Sequence, residues 1–193
     1  MARGAQVTDC CGTGTEPWFD RSFRYAAHLR YALDGGALVA DVEVENSASI
    51  RLPYGLGFHP WFARYPETTL HAKAARVWLE DERHLPVGAV PVASRPEWDF
   101  SRPSRLPREW VNNGFDGWDG RTEVTQPENG VVLSIQATPE LGVFILYSPS
   151  PNSDFFCFEP VSHVDAHHGE GLTVLEPGAS MRAGMRISWR PLD

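Results

Sequence analysis

The stretch Asp154-Phe155-Phe156-Cys157-Phe158-Glu159-Pro160-Val161-Ser162-His163-Val164 sets one carboxylate at the end of an apolar, aromatic run. Pro160 follows at once, and proline removes a backbone donor and rarely continues a central strand. The run therefore reads as a buried strand that delivers Glu159 to the rim of a core. A carboxylate beside so much apolar surface is either matched by a partner or kept for chemistry, and position alone favours neither reading. The surroundings should raise its pKa from the ordinary value of about 4.3, making it a stronger base near neutrality while it stays ionised. The second candidate is His59, in Gly55-Leu56-Gly57-Phe58-His59-Pro60-Trp61-Phe62. A histidine in such a loop can act as acid or base near neutral pH. The structural alternative is a ring that packs on Trp61 and bonds to a backbone carbonyl.

Three further groups carry weaker signals. His163, Asp165, His167 and His168 have the composition of a metal cluster, and His163-x-Asp165 could open a two-histidine, one-carboxylate iron site. That site needs a third ligand from a later strand, and no histidine follows His168. Solvated loop histidines and no metal are the expectation. Asp116-Gly117-Trp118-Asp119-Gly120 does not have the spacing of a calcium loop. Its aromatic and polar mix suits sugar recognition, a ring stacking on C–H groups while Asn and Asp bond hydroxyls; a structural turn is the equal alternative. Cys157 reads as a small core residue. There is no glycine-rich phosphate loop after a strand and no serine nucleophile elbow.

The elements that must position these residues are strands. Phe23, Tyr25, Ala27, Leu29, Tyr31 and Leu33 alternate with Arg24, Ala26, His28, Arg30, Ala32 and Asp34, a period of two. Asp34-Gly35-Gly36 is a hairpin turn, and Leu38, Ala40, Val42 and Val44 form the returning strand. Alternation recurs from Val131 to Ala137, in Val143–Tyr147, and from Met181 to Trp189 after the turn Glu176-Pro177-Gly178. Leu70–Leu79 and Pro91–Phe100 read as short strands and loops, and Arg95–Arg108 as loop. No segment has a helical period. The chain reads as all-β, a mostly antiparallel sandwich. Residues 1–17 read as a leader without clear structure and 18–193 as one domain.

The 193 residues carry a formal charge of -8, which argues against nucleic-acid and anionic-membrane partners. No apolar run is long enough to span a bilayer. The first residues lack the apolar centre of a signal peptide, and three cysteines, two of them adjacent, make no disulfide framework. Cytoplasm is the expected location; oligomeric state is not legible.

Together, Gly55–Phe62, Asn113-Gly114-Phe115-Asp116-Gly117-Trp118-Asp119-Gly120 and Phe155–Val164 resemble the aldose 1-epimerase (galactose mutarotase) family in order, spacing and content, and Leu175-Glu176-Pro177-Gly178 before a last strand also fits. The resemblance runs from about residue 18 to the end. It implies a large antiparallel β-sandwich with a sugar cleft on one concave sheet, a monosaccharide substrate, and exchange of α and β anomers without metal or cofactor. It implies His59 as the general acid at the ring oxygen and Glu159 as the general base at the anomeric hydroxyl, with Asn112, Trp118, Asp119 and His163 binding substrate.

Two departures accompany the resemblance. Asn112 stands where the family usually has Asp, which replaces a charged acceptor by a neutral group. The family's long N-terminal portion, with a sugar-binding Arg and a second His, has no counterpart before Phe23, so the chain reads as a C-terminal portion lacking N-terminal strands. Such a sandwich is expected to expose edges and core surface, to associate, and to bind sugar less well. A hexose 6-phosphate epimerase would need arginines gathered at the cleft, for which Arg64, Arg76, Arg102 and Arg105 are the candidates. A non-catalytic carbohydrate-binding protein of the same fold is the remaining alternative.

Overall fold

The computed structural model describes residues 7–14, 23–164 and 171–193. The chain opens with β1 (Val7–Gly14), β2 (Tyr25–Asp34), β3 (Ala37–Asn46), β4 (Leu52–Tyr54) and β5 (Trp61–Ala63). It continues through β6 (Thr69–Ala72), β7 (Arg76–Glu80), β8 (Pro86–Pro91), β9 (Ser104–Arg105), β10 (Val111–Asp116) and β11 (Arg121–Gln126). It closes with β12 (Val131–Ala137), β13 (Val143–Ser148), β14 (Phe155–Val161), β15 (Thr173–Leu175) and β16 (Ser180–Pro191). The helical residues among those described are single 3₁₀ turns at Val92–Ser94, Pro96–Trp98 and Pro127–Asn129. None is long and apolar enough to cross a membrane.

Two sheets face one another. One has the order β1-β2-β3-β16-β12-β11-β6-β9, the other β5-β14-β13-β10-β7-β8, and β15 pairs with β4 at the side. Every paired strand is antiparallel to its neighbour. The expected all-β sandwich is what forms. The alternating sequences explain why: each strand sends every second side chain into the space between the sheets. There Phe144 stacks on Phe115 at 4.7 Å and on Phe158 at 4.5 Å. All three are fully buried, each contributing about 1.5–3 kcal/mol of burial. The β2–β3 hairpin turns at Gly35 and Gly36, with φ of 57° and 84°, the left-handed pair a two-residue hairpin requires.

One feature departs from the sequence reading. Residues 7–14, read as part of an unstructured leader, form β1, paired with β2 from Val7↔Ala32 to Gly14↔Tyr25. An edge strand joins through its main chain, so it needs no side-chain alternation and leaves no pattern to read. The other leader residues, 1–6 and 15–17, lie outside the described residues. The apolar face of β2 is only partly covered: Tyr31 and Leu33 are 38% and 57% exposed.

Candidate active site

The segment Gly55–Ala63 runs antiparallel beside β14. Gly57 bridges Val161, the Phe58 N–H donates to the Pro160 carbonyl at 2.9 Å, and Trp61 pairs with Cys157. This constant register sets His59 directly across from Glu159. Directly opposed side chains have Cβ atoms about 4.5–5.5 Å apart, and here His59 Nε2 lies 3.2 Å from Glu159 Oε1. Close approach of the two segments depends on glycine: a Cβ on Gly57 would meet Val161 Cγ1 at 2.6 Å and the Pro160 carbonyl oxygen at 2.7 Å.

Trp61 completes the pair. Its indole Nε1–H donates to His59 Nδ1 at 3.2 Å, so Nδ1 is an acceptor and the ring proton sits on Nε2, facing Glu159. Trp61 stacks on Phe155 at 4.2 Å and is 64% exposed. Glu159 is buried. Burial raises its pKa above the ordinary carboxylate value, and His59 opposes that shift when it is protonated. The sequence expectation for its direction holds.

Interstrand register extends the site across the six-stranded sheet. One row reads His59, Glu159, Ile145 and Gly114; the next reads Trp61, Cys157, Tyr147 and Asn112. Phe156 and Phe158 point the other way, into the core. Asn112 thus shares the face of the catalytic candidates, half-buried and two strands from Cys157, about 10 Å at ordinary strand spacing. It lines a small pocket of about 80 Å³ with Trp78, His84, Gly114, Ile145 and Val164. Nearby, Asp116 accepts from Arg76 Nε at 2.9 Å, Arg76 Nη2 at 2.6 Å and Trp78 Nε1 at 2.8 Å.

The other expected site residues fall elsewhere. Trp118 is not on this face but in the core, edge-on to Phe144 and Phe158 at 5.8 and 5.4 Å, its Nε1–H donating to the Arg121 carbonyl. Asp119 is exposed and closes a turn by accepting from the Arg121 N–H. The cause is local: Gly117 and Gly120 are both left-handed, at 67° and 78°, so the chain reverses there and swings Trp118 inward. His163 is half-buried, with Nδ1 3.1 Å from Ser162 Oγ. Its ring lies against Gly55, where a Cβ would come within 2.2 Å, so it packs on the segment that carries His59. Asp165, His167 and His168 lie outside the described residues. Arg64 and Arg105 line a separate cavity of about 690 Å³ that contains neither His59 nor Glu159. Arg64 donates there to Ser148 and to the Pro107 carbonyl, and Arg105 pairs with Glu67. Arg76 is on the candidate face, bound to Asp116, so Arg64 and Arg105 do not gather with it beside His59 and Glu159.

Sequence reasoning placed Trp61 against the His59 ring but took a backbone carbonyl, not the Trp61 indole N–H, as the ring's hydrogen-bond partner, and it missed Tyr147 and the Asp116–Arg76–Trp78 cluster. It also read Cys157 only as core. Cys157 is buried, and burial, with the charge of Glu159 adding to it, pushes its thiol pKa up to about 11. Strand parity was the available signal, since Phe155, Cys157 and Glu159 fall on one face.

The family model described as aldose 1-epimerase matches residues 18–188. This chain belongs to the aldose 1-epimerase family. The uncharacterised protein YphB of Escherichia coli K12 is 36% identical over 179 residues, covering 86% of this chain and 61% of that protein. The chain thus spans under two thirds of this relative's length. A crystal structure of an E. coli K12 protein proposed to be an aldose 1-epimerase superposes with a TM-score of 0.86 at 30% identity, covering 97% of this chain and 69% of that one. A galactose mutarotase-like protein from Clostridium acetobutylicum gives 0.82 at 13% identity, covering 99% and 64%, a likeness of fold. The family's sheet architecture and the His59–Glu159 register coincide in one chain.

Proposed function

We propose that this chain acts on a free aldose as a 1-epimerase, interconverting its α and β anomers, with Glu159 as base and His59 as acid. The observation that carries the proposal is the cross-strand pair, with Nε2 and Oε1 3.2 Å apart on an open sheet face. The ring oxygen and the anomeric hydroxyl of an aldose are bonded to the same carbon. An acid and a base that serve them must therefore be close neighbours, which directly opposed strand residues are.

In the proposed reaction Glu159 removes the anomeric hydroxyl proton, and the oxygen's electron pair forms the aldehyde. The bond between C1 and the ring oxygen breaks, and His59 Nε2–H protonates that oxygen. The C1–C2 bond rotates and the steps reverse on the other face. The raised pKa of Glu159 makes it a better base once ionised. The open face of Trp61 suits the C–H side of the sugar, and Asn112 and His163 are the proposed hydroxyl contacts. A monosaccharide partner and a cytoplasmic location belong to the same proposal.

Polarimetry on freshly dissolved α-D-galactose and α-D-glucose tests it. The chain should accelerate the approach to anomeric equilibrium, and Glu159→Gln should lose about 10²–10⁴-fold. Equal acceleration by the variant, or none from a folded sample of the chain, overturns the proposal.

A further inference from the structure

We propose that His59, Cys157 and Glu159 also form a binding site for a thiophilic divalent ion of the zinc class, and that the ion competes with sugar for the acid–base pair. The competition rests on the mutarotase reading; the metal site does not. One ligand atom from each residue lies within 4.8 Å of the other two. Four-coordinate zinc holds donors at about 2.0–2.3 Å, which places them roughly 3.3–3.8 Å apart. The His59–Glu159 contact is already 3.2 Å, so closing the trio requires shifts of about 1 Å. Cys157 and Glu159 lie on one face of β14, and His59 lies opposite Glu159 between the Gly57–Val161 bridge and the paired Trp61, so the donors are held before any ion arrives.

The donor chemistry selects the ion. A thiolate with an imidazole and a carboxylate favours zinc, cobalt or copper over magnesium or calcium. Binding releases the thiol proton to the buffer. The resulting two negative charges balance the ion in a site where Cys157 and Glu159 are buried. His59 is 57% exposed, which leaves the fourth position open to water from the cleft. Coordination through Nε2 moves the ring proton to Nδ1, and the Trp61 N–H must then let go of that nitrogen. Trp61 is largely exposed and can turn its N–H to solvent. Trp61 therefore opposes metal binding while it favours the catalytic tautomer.

Titration of the reduced chain with Co²⁺ is the test. One equivalent should bind with a thiolate-to-cobalt charge-transfer absorption and the strong visible bands of a four-coordinate ion. Zn²⁺ should bleach these bands, and Mg²⁺ should not. Cys157→Ser, with Cys157→Ala as a second variant if serine disturbs folding, should abolish the charge-transfer band with unchanged circular dichroism. Glu159→Gln should weaken binding by an order of magnitude or more, and Trp61→Phe should strengthen it. No charge-transfer band in the folded chain overturns the site, as does a band that survives in both Cys157 variants, which would assign the ion to Cys10 or Cys11. In polarimetry, saturating Zn²⁺ should abolish the acceleration and a chelator should restore it. Acceleration that persists at full cobalt-band occupancy overturns the competition. If the chain does not accelerate mutarotation at all, the mutarotase reading and the competition fall together, and the cobalt spectrum still decides the metal site.

Discussion

Glu159 has been taken out of water and set beside His59, and both its part in the proposed reaction and its stability cost follow from that. In the proposed reaction its carboxylate must be ionised, and burial raises its pKa. The acidic limb of kcat/KM should therefore lie above the ordinary carboxylate range of about 4.3. A pH–rate profile by polarimetry checks this, and a limb in the ordinary range would mean that Glu159 is not the base. The sign for stability is the reverse of a salt-bridged acid. The folded state keeps the Glu159 proton over a range where the unfolded chain has lost it, so stability falls as pH rises from the unfolded pKa through the folded one. At neutral pH the ionised residue is a net cost. Glu159→Gln should thus melt no lower than the parent at about pH 7.5 and equal to it at about pH 4, even as activity is lost. At this scale the types of His59 and Glu159 were legible, because their chemistry depends on little else. The tautomer of His59 was not, since it is set by an indole N–H whose direction only the fold supplies.

Elements decide which of the legible residues meet. Trp118 and Asp119 occupy a motif that is as polar and aromatic as a sugar site, yet the left-handed glycines on either side turn them into core and turn. Asn112, a few residues earlier, stays on β10 and keeps the face of Glu159. Alternation along β14 was readable in principle, but three phenylalanines in four positions look like one apolar block when read as composition. The backbone crossing at Gly57 is the element-level device that aligns the pair. Gly57→Ala should destabilise the fold by about 1–3 kcal/mol, because the nearest obstacles include backbone atoms that cannot step aside. It should also reduce mutarotation further than the lost stability accounts for; chemical denaturation and polarimetry on the same sample separate the two. Trp61→Phe keeps the stack on Phe155 and removes the N–H. It should lower kcat with little change in melting temperature, and a parallel loss of both would make Trp61 a packing residue only.

At the scale of the whole molecule the sheets are stitched by distant pairings, β3 with β16 and β5 with β14. Sequence patterns gave strands and hairpins but not these crossovers, because alternation fixes a strand's faces and not its neighbours. The Phe115–Phe144–Phe158 stack links three of the central strands. Phe144→Ala should cost about 3–5 kcal/mol, read as a lower midpoint in urea with an unchanged slope. Refolding of so non-local a topology should take milliseconds to seconds, which stopped-flow fluorescence of the tryptophans would time.

The His59–Glu159 pair closes a loop of roughly a hundred residues, at an entropic cost that grows only slowly with length. Neither segment carries half of the chemistry by itself. The proposed catalysis is therefore a proofreader of assembly. A slip of two residues between Gly55–Ala63 and β14 would keep every side chain on its own face, yet would seat Trp61 opposite Glu159 and take Gly57 out of its crossing with Val161. To the eye of a spectrometer such a chain would be folded, and to a polarimeter it would be silent.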